Sequence, residues 1–490
     1  MSRRPTVARA MLAAACLAVL SGCASMAPRY ARPDAPVPQD FGALPAVDAA
    51  AVPVAELDWR QVFLDPQLQQ VIALALDNNR DLRVAMLNIE KARASYRIQR
   101  ADLLPSVDAS ASHSAARSSA ATSSAATSSS GTSQVSRSVS AEVGVSSWEL
   151  DLFGRIRSLK NEALETWLAT AQTQRDTRMS LVAEVAGDWL TVGAYRQRLA
   201  LAQQTLASQR ETLKLTEARH AQGVVSGVDL AQVQSSVESA RADVAAYTTA
   251  LAQARNALQL VVGAPVADTL LPGTDATGDA VALAPLPADL SSTVLLQRPD
   301  VLYAEHTLKA ANADIGAARA AFFPTIALTA STGRSSDQLS SLFDAGTRTW
   351  SFVPSITLPI FHAGALKASL DAARIEKDIT VAQYEQAIQT AFSEVADALA
   401  ARANIDEQLD AQRALVEVTQ RSYTLAEARY RNGVDSYLDA LDSQRSLYTA
   451  QQDLITLRLS EASNRVTLYK VLGGGADAQS GTTAPVDAAR

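Results

Sequence analysis

"LAEARYRNGVDSY", residues 425–437, has a near-copy 210 positions earlier in "LTEARHAQGVVSG", residues 215–227, identical at seven of thirteen places. The correspondence continues at the same offset. Gly154 matches Gly364, Glu184-Val185-Ala186 matches Glu394-Val395-Ala396, and Gly263 matches Gly473. Upstream the offset becomes 219, where Arg100-Ala101 and Pro105 match Arg319-Ala320 and Pro324. The nine extra residues lie between Pro105 and Gly154, an interval that holds the Ser/Ala/Thr tract 114–133, a low-complexity run with nothing to pack. The chain therefore reads as two copies of one unit, 57–263 and 291–473, joined by a linker over 264–290.

Each copy has a long helical part. Leu199, Leu206 and Leu213 recur every seven residues, and Leu230, Val237, Val244, Leu251 and Leu258 resume the interval after the Gly223–Gly227 turn. Leu409, Val416, Tyr423 and Tyr430, then Leu447 and Leu454, repeat the pattern. Heptads broken by one glycine turn describe antiparallel helices packed like a coiled coil. The expected helical hairpins cover about 181–262 and 365–472. A continuous helix over Ala365–Arg431 would span about 100 Å. A structural rod of coiled coils would share these features.

Each copy also has a strand pair, about 106–149 and 325–360. Val135, Val139, Ala141, Val143 and Val145 alternate with Gln134, Ser136, Ser138, Ser140 and Glu142. Ile326, Leu328 and Ala330 continue the alternation, as do Trp350, Phe352, Ile356, Leu358 and Ile360; Val107, Ala109 and Ala111 make a weaker first strand. One apolar and one polar face suits a membrane barrel, and it would equally suit a soluble half-buried hairpin. Four strands cannot close a barrel, for which about eight are needed, so a membrane reading requires oligomerisation. Three copies would supply twelve strands and a matching ring of twelve helices.

The N-terminus favours the membrane. Arg3, Arg4 and Arg9 precede the apolar run Ala10–Leu20, too short to span a bilayer, so residues 1–22 read as a signal peptide. Leu20-Ser21-Gly22-Cys23 resembles a bacterial lipobox, with Cys23 as the lipid acceptor; ordinary secretion with an incidental cysteine is the competing reading. Lipoproteins held at the inner membrane commonly carry Asp after the cysteine, and Ala24 stands here. Residues 23–56 are then a lipidated N-terminal extended segment, and 474–490 a disordered tail.

Several functions are excluded. Loss of the leader leaves 41 basic against 51 acidic residues, a net of −10 that argues against nucleic acid as a partner. Cys16 leaves with the leader, so no disulfide framework or thiolate metal site remains. No GxSxG, GxxxxGK[ST] or HExxH occurs, and His113, His220, His306 and His362 have no ligand spacing. "PGTDATGD", residues 272–279, lacks the spaced acids and terminal Glu of a calcium loop. The reading is of a non-enzyme without cofactor or metal.

"SWELDLFGRIRS" (147–158), "LQRPDVLYAEHTLKAANADIGAARAAFFPTIALTAS" (296–331), "SITLPIFHAGALKA" (355–368) and "ARYRNGVDSYLDALDSQRSLYTAQQDL" (428–454) resemble the TolC-like outer-membrane factors. More closely they resemble the NodT-type lipoproteins of tripartite drug-efflux systems, over about Leu57 to Gly473. The resemblance implies a mixed α and β fold. This is a trimeric channel-tunnel whose 12-stranded transmembrane β-barrel, four strands per protomer, continues into a long periplasmic α-helical barrel. It implies an outer-membrane channel that exports small molecules such as drugs from an inner-membrane pump of the RND type, through a periplasmic membrane-fusion adaptor. The chain would form a homotrimer held by outer-membrane lipid. A duct for protein secretion and a non-channel coiled-coil envelope lipoprotein are the alternatives. His362 departs from relatives, which commonly carry Asp in "LPIFDGG".

By the same resemblance, residues 218–230 and 428–441 are tips that meet the adaptor, including Arg219, Gly223, Ser226, Gly227, Arg429, Gly433, Val434 and Ser436. Leu438, Asp439 and Asp442 fall at the family's pore constriction. Positions i and i+3 share a helix face, so both carboxylates can point into a lumen; spacing alone favours solvated surface charges, and the resemblance reverses that reading. Arg219 and Arg429 are expected as ion-pair partners. Intact mass of the mature N-terminus should show an acylated Cys23, and Cys23→Ser should weaken assembly without abolishing it; an unmodified Cys23 would refute the anchor.

Overall fold

The computed structural model describes residues 25–41, 58–117, 135–273, 281 and 291–474. The leader 1–22, Cys23, residues 42–56 of the N-terminal segment, most of the Ser/Ala/Thr tract, most of the 264–290 linker and the tail after Gly474 lie outside the described residues. In chain order the elements are α1 (Trp59–Val62), α2 (Pro66–Asn78), α3 (Arg80–Ala101), β1 (Asp108–Arg117), β2 (Val135–Glu149), α4 (Arg155–Ala221) and α5 (Gly227–Val262). They continue with α6 (Pro299–Ala320), β3 (Thr325–Ser336), β4 (Arg348–Thr357), α7 (Ala365–Arg431) and α8 (Tyr437–Val471). Residues 25–33, 90–117, 135–169 and 305–383 form one compact unit, and the remaining described residues a second. Helices α3, α4, α6 and α7 contribute to both.

The first unit holds an antiparallel sheet in the order β1-β2-β3-β4. Its register explains the alternation. Ala109 faces Val143, Val143 faces Thr332, Thr332 faces Trp350, and Val145 faces Ala330, which faces Phe352. Directly paired residues share a face, so the large apolar side chains of the strands, apart from Val353 opposite Thr329, fall on one side, which also carries the Arg334–Arg348 pair. Trp350, Phe352 and Ile356 on that face are 76%, 59% and 71% exposed. The opposite face is Ser-, Thr- and Gly-rich, with Ser112 bonded to Ser140 and Ser331 to Ser351, both at 2.8 Å. The outer edges of β1 and β4 have no strand partner among the described residues.

Two departures from strict alternation are informative. A bulge between Val145 and Trp148, with Ser147 at φ 54°, places two residues of β2 against one of β3, and this one extra residue returns Trp148 to the apolar face opposite Leu328. Strand β4 ends at Thr357, paired with the first residue of β3, so Leu358 and Ile360 lie beyond the ladder rather than within it. Val107 likewise precedes β1.

The second unit contains the apolar core, built from α1, α2, the middle of α4, the end of α5, and the adjoining parts of α7 and α8 around Phe63, Trp189, Tyr384 and Tyr469. Helix α2 starts cleanly because Asp65 accepts from the amides of Gln67 and Leu68 at 2.7 and 3.0 Å with Pro66 at the first turn. The indole of Trp189 donates to Leu270 O at 2.9 Å, so its burial leaves no open polar group. Equivalent positions do equivalent work. Asn79 Nδ2 donates to Val261 O at 2.7 Å, and Arg298, 219 residues later, donates Nη1 to Val471 O at 2.8 Å. Each thereby ties an entering segment to the last turn of a returning helix. Arg298 also pairs with Asp300 and Glu394, both at 2.7 Å. The glycines with positive φ repeat at 210: Gly154 and Gly364 at 77° and 88°, Gly223 and Gly433 at 71° and 72°, Gly263 and Gly473 at 74° and 77°.

The first long helix corrects an expectation. The heptads predict a hairpin from about 181, yet α4 begins at Arg155 and runs 67 residues. Asp151 supplies the start, accepting from the Arg157 amide at 2.9 Å and from its Nε at 3.1 Å, while Arg155 pairs with Glu149 at 2.6 Å. No glycine or proline interrupts the stretch to 180.

Gly263 separates backbone strain from crowding. An added Cβ would lie 2.6 Å from Asn78 O, whereas nothing lies within 4 Å at Gly433. Gly433→Ala should cost about 1–2 kcal/mol through its left-handed backbone, and Gly263→Ala about 1–3 kcal/mol more through the clash. Thermal melts of the detergent-solubilised protein should show the larger fall for Gly263→Ala; equal falls would contradict the packing described.

Candidate functional site

The two hairpin tips are built alike and then diverge. In the first, Gly223 N donates to His220 O and Val224 N to Arg219 O, both at 2.9 Å. In the second, Gly433 N donates to Tyr430 O at 3.0 Å and Val434 N to Arg429 O at 2.9 Å. The left-handed glycine closes both helices with the same pair of reversed bonds. Ser226 then caps α5, accepting from Asp229 N while its own amide donates to Asp229 Oδ2, each at 3.1 Å. Both serines donate their hydroxyls to the carboxylate three residues on, Ser226 to Asp229 Oδ2 and Ser436 to Asp439 Oδ2, each at 2.8 Å, but Ser436 caps no backbone amide.

One substitution between the copies redirects an arginine. Asp435 stands where the first copy has Val225. Arg429 uses that carboxylate, donating Nη2 to Asp435 Oδ1 at 2.8 Å and Nε to Oδ2. The guanidinium bond holds the Asp435 carboxyl below the usual carboxylate range. Arg219, expected as an ion-pair partner, has no such carboxylate. It reaches the second hairpin instead, donating to Arg431 O at 2.8 Å and Tyr430 O at 3.3 Å with its guanidinium 5.1 Å above the Tyr430 ring. It clamps the end of α7.

Behind the tips the two hairpins share a small core of Val233, Tyr430, Tyr437, Ala440 and Leu441. Tyr430 and Tyr437 meet edge-on at 5.4 Å. Their hydroxyls are buried and satisfied: Thr216 Oγ1 lies 3.0 Å from Tyr430 OH, and Tyr437 OH donates to Gln209 Oε1 at 3.0 Å. Gln209 Nε2 passes the chain to Gln444. Further along, Tyr448 OH donates to Asp243 Oδ2 at 3.2 Å beside a polar cavity of about 80 Å³. Burial pushes the phenols of Tyr437 and Tyr448 up, so both remain donors across the physiological range. Sequence reading missed this polar seam. The signal was present: Tyr430 and Tyr437 replace His220 and Gly227 of the first copy.

Leu438, Asp439 and Asp442 share the side of α8 turned away from this seam. Tyr437 and Leu441 are buried while Leu438 is 55% exposed and both aspartates are exposed. Asp439 is engaged by Ser436, whereas Asp442 has no bonded partner among the described residues. The structure thus brings the three together on one exposed face. Cys23 lies outside the described residues. Among the described residues no group of three or more His, Cys, Asp or Glu could hold a metal ion, and no helix is long and apolar enough to cross a membrane.

Comparison with known proteins places this arrangement. The model of the outer membrane efflux protein family matches residues 71–264 and 290–474. The toluene efflux pump outer membrane protein TtgC of Pseudomonas putida is 48% identical over 466 residues, covering 94% of this chain and 95% of its own. The outer membrane protein OprJ of Pseudomonas aeruginosa is 42% identical over 461 residues, covering 94% and 95%. The open-state crystal structure of the Neisseria gonorrhoeae MtrE outer membrane channel superposes with a TM-score of 0.82 at 39% identity, covering 92% of this chain and 98% of that one. The chain belongs to the outer membrane efflux protein family.

Proposed function

We propose that three copies of this chain form the outer-membrane exit duct of a tripartite efflux assembly, with a periplasmic adaptor and an inner-membrane pump of the RND type completing the path. The supporting observation is the sheet. Its large apolar residues apart from Val353 share one face, Ser, Thr and Gly dominate the other, and its two edges lack strand partners among the described residues. In a bilayer each unsatisfied edge group costs several kcal/mol, so the edges must pair with neighbouring copies. Four strands from each of three copies make a twelve-stranded barrel with a polar interior. Cys23 would add a lipid anchor.

Relatives named for toluene and antibiotic efflux support small molecules as the cargo. The tips at 218–230 and 428–441 would meet the adaptor through Gly223, Ser226, Gly227, Gly433, Val434 and Ser436. On the exposed face of α8, Leu438, Asp439 and Asp442 would line the narrowest passage. Threefold closure would put about six carboxylates around the axis, where they attract cations, while Leu438 adds an apolar collar that can gate by dewetting. An adaptor would favour opening only by binding the open tips more tightly than the closed ones.

Single-channel recording in planar bilayers checks the gate. Asp439→Ala/Asp442→Ala should abolish cation selectivity and divalent block with the oligomer intact, and Asp442→Ala alone should account for most of the change because Asp439 is held by Ser436. Unchanged selectivity in a folded double variant would remove both residues from the pore.

A further inference from the structure

Residues 25–33 lie along α6 in the opposite direction to it, and the contacts follow one another in order. Arg319 Nη1 donates to Met26 O at 3.1 Å, and Asn312 Nδ2 donates to Pro28 O at 2.8 Å. Between them Ala27 crosses Gly316 so closely that a Cβ there would lie 2.8 Å from Ala27 N and 2.9 Å from Ala27 Cα, as well as 2.6 Å from Ser158 Oγ of α4. Tyr30 OH donates to Glu305 Oε1 at 3.1 Å, and Arg32 forks onto the same carboxylate, Nη2 to Oε2 at 2.6 Å and Nε to Oε1 at 3.2 Å. Lys309 completes the site, 3.0 Å from Glu305 and 5.3 Å from the Tyr30 ring.

The lengths leave no slack. Five extended residues from Ala27 to Arg32 cover about 17 Å, and the eleven helical residues from Glu305 to Gly316 cover about the same. The arm is also needed by the helix. Glu305 has a side chain only 4% exposed. Burial alone would push its carboxyl up, and the bonds from Arg32, Lys309 and Tyr30 hold it below the usual range instead. Two of those three donors come from the arm.

We infer that residues 25–33 are a fixed-length tether that holds an acylated N-terminus beside the root of β3, so that the protein, and not the lipid alone, sets the anchor's position relative to the strands. This rests on the reading of Cys23 as acylated. Met26 lies three residue steps from Cys23, a reach of at most about 11 Å. Met26 is bonded to Arg319, the second-last residue of α6, and β3 begins at Thr325. The notch at Gly316 and the fork on Glu305 are what a device of defined length needs, and a merely flexible linker would need neither. Undocking would lengthen the tether from three residues to about sixteen, where Ser292 N next holds Gln39 O at 2.8 Å. Effective concentration falls roughly as the −3/2 power of tether length, so the strands would meet the membrane about tenfold less often.

Two variants test this in the full-length protein carrying Ala27→Cys as a reporter. Gly316→Val fills the notch from the helix side. Arg32→Ala/Tyr30→Phe weakens the arm alone and leaves α6 unchanged, which covers the case in which Gly316→Val fails to fold. Reactivity of the reporter with a membrane-impermeant maleimide should rise at least several-fold in both. Pulse-chase formation of the detergent-resistant oligomer should slow about tenfold, with the mature mass still showing an acylated Cys23. Unchanged reactivity in both variants would overturn the docking, and raised reactivity with assembly within twofold of the parent would overturn the tether. An unacylated Cys23 in the parent would overturn the reading beneath it, and the mass measurement tells that failure apart from the other two.

Discussion

An apolar sheet face with two edges that have no partner among the described residues is the constraint on which the molecule depends. The register puts Val143, Ala330, Phe352 and Ile356 on one side and most of the Ser/Thr/Gly residues on the other, so the sheet cannot be satisfied in water or alone. Within a bilayer the face is solvated by lipid, and only the edges remain to be paired. That remaining demand is met by other copies of the same chain. Close packing on the polar side follows the same logic: an added Cβ at Gly144 would lie 2.6 Å from Ala330 O, which leaves room for backbone there and little else.

The duplication supplies the helical part in the same economical way. Matched glycines at 154 and 364, 223 and 433, and 263 and 473 close matched turns, and Asn79 and Arg298 tie matched segments to Val261 and Val471. The copies differ at their tips. Asp435 against Val225 gives one arginine a carboxylate within its own turn and sends the other across to the neighbouring hairpin. Tyr430 and Tyr437 against His220 and Gly227 create a buried polar seam between hairpins. Its hydroxyl and amide bonds each contribute about 1 kcal/mol net, and breaking one would strand its partner at greater cost.

Much of this was legible in the chain itself. The heptads through Leu206 and Val237 mark residues that are buried between helices, and the alternation through Val139 and Val143 follows a real face. The tip glycines announced their turns. Periodicity could not find the start of α4, because Asp151 and Gly154 set it through capping and a left-handed turn rather than through an apolar stripe. Nor could it find the bulge at Ser147, which a single inserted residue conceals. The arm at 25–33 was least visible. Its partners Glu305, Asn312 and Arg319 are more than 270 positions away and read as ordinary helix surface until the arm lies on them.

The most direct test of the account is whether β1 of one copy pairs with β4 of the next and the ring closes at three. Ser112→Cys on the polar face of β1 can be combined in turn with cysteine at Thr349, Ser351, Val353 and Ser355 on the same face of β4. Oxidation in the outer membrane, followed by denaturing gels without reductant, should give covalent dimers and trimers at one or two adjacent positions and nothing larger. A ladder extending past three copies, or monomer alone at every position in correctly inserted protein, would contradict the closure on which the channel rests.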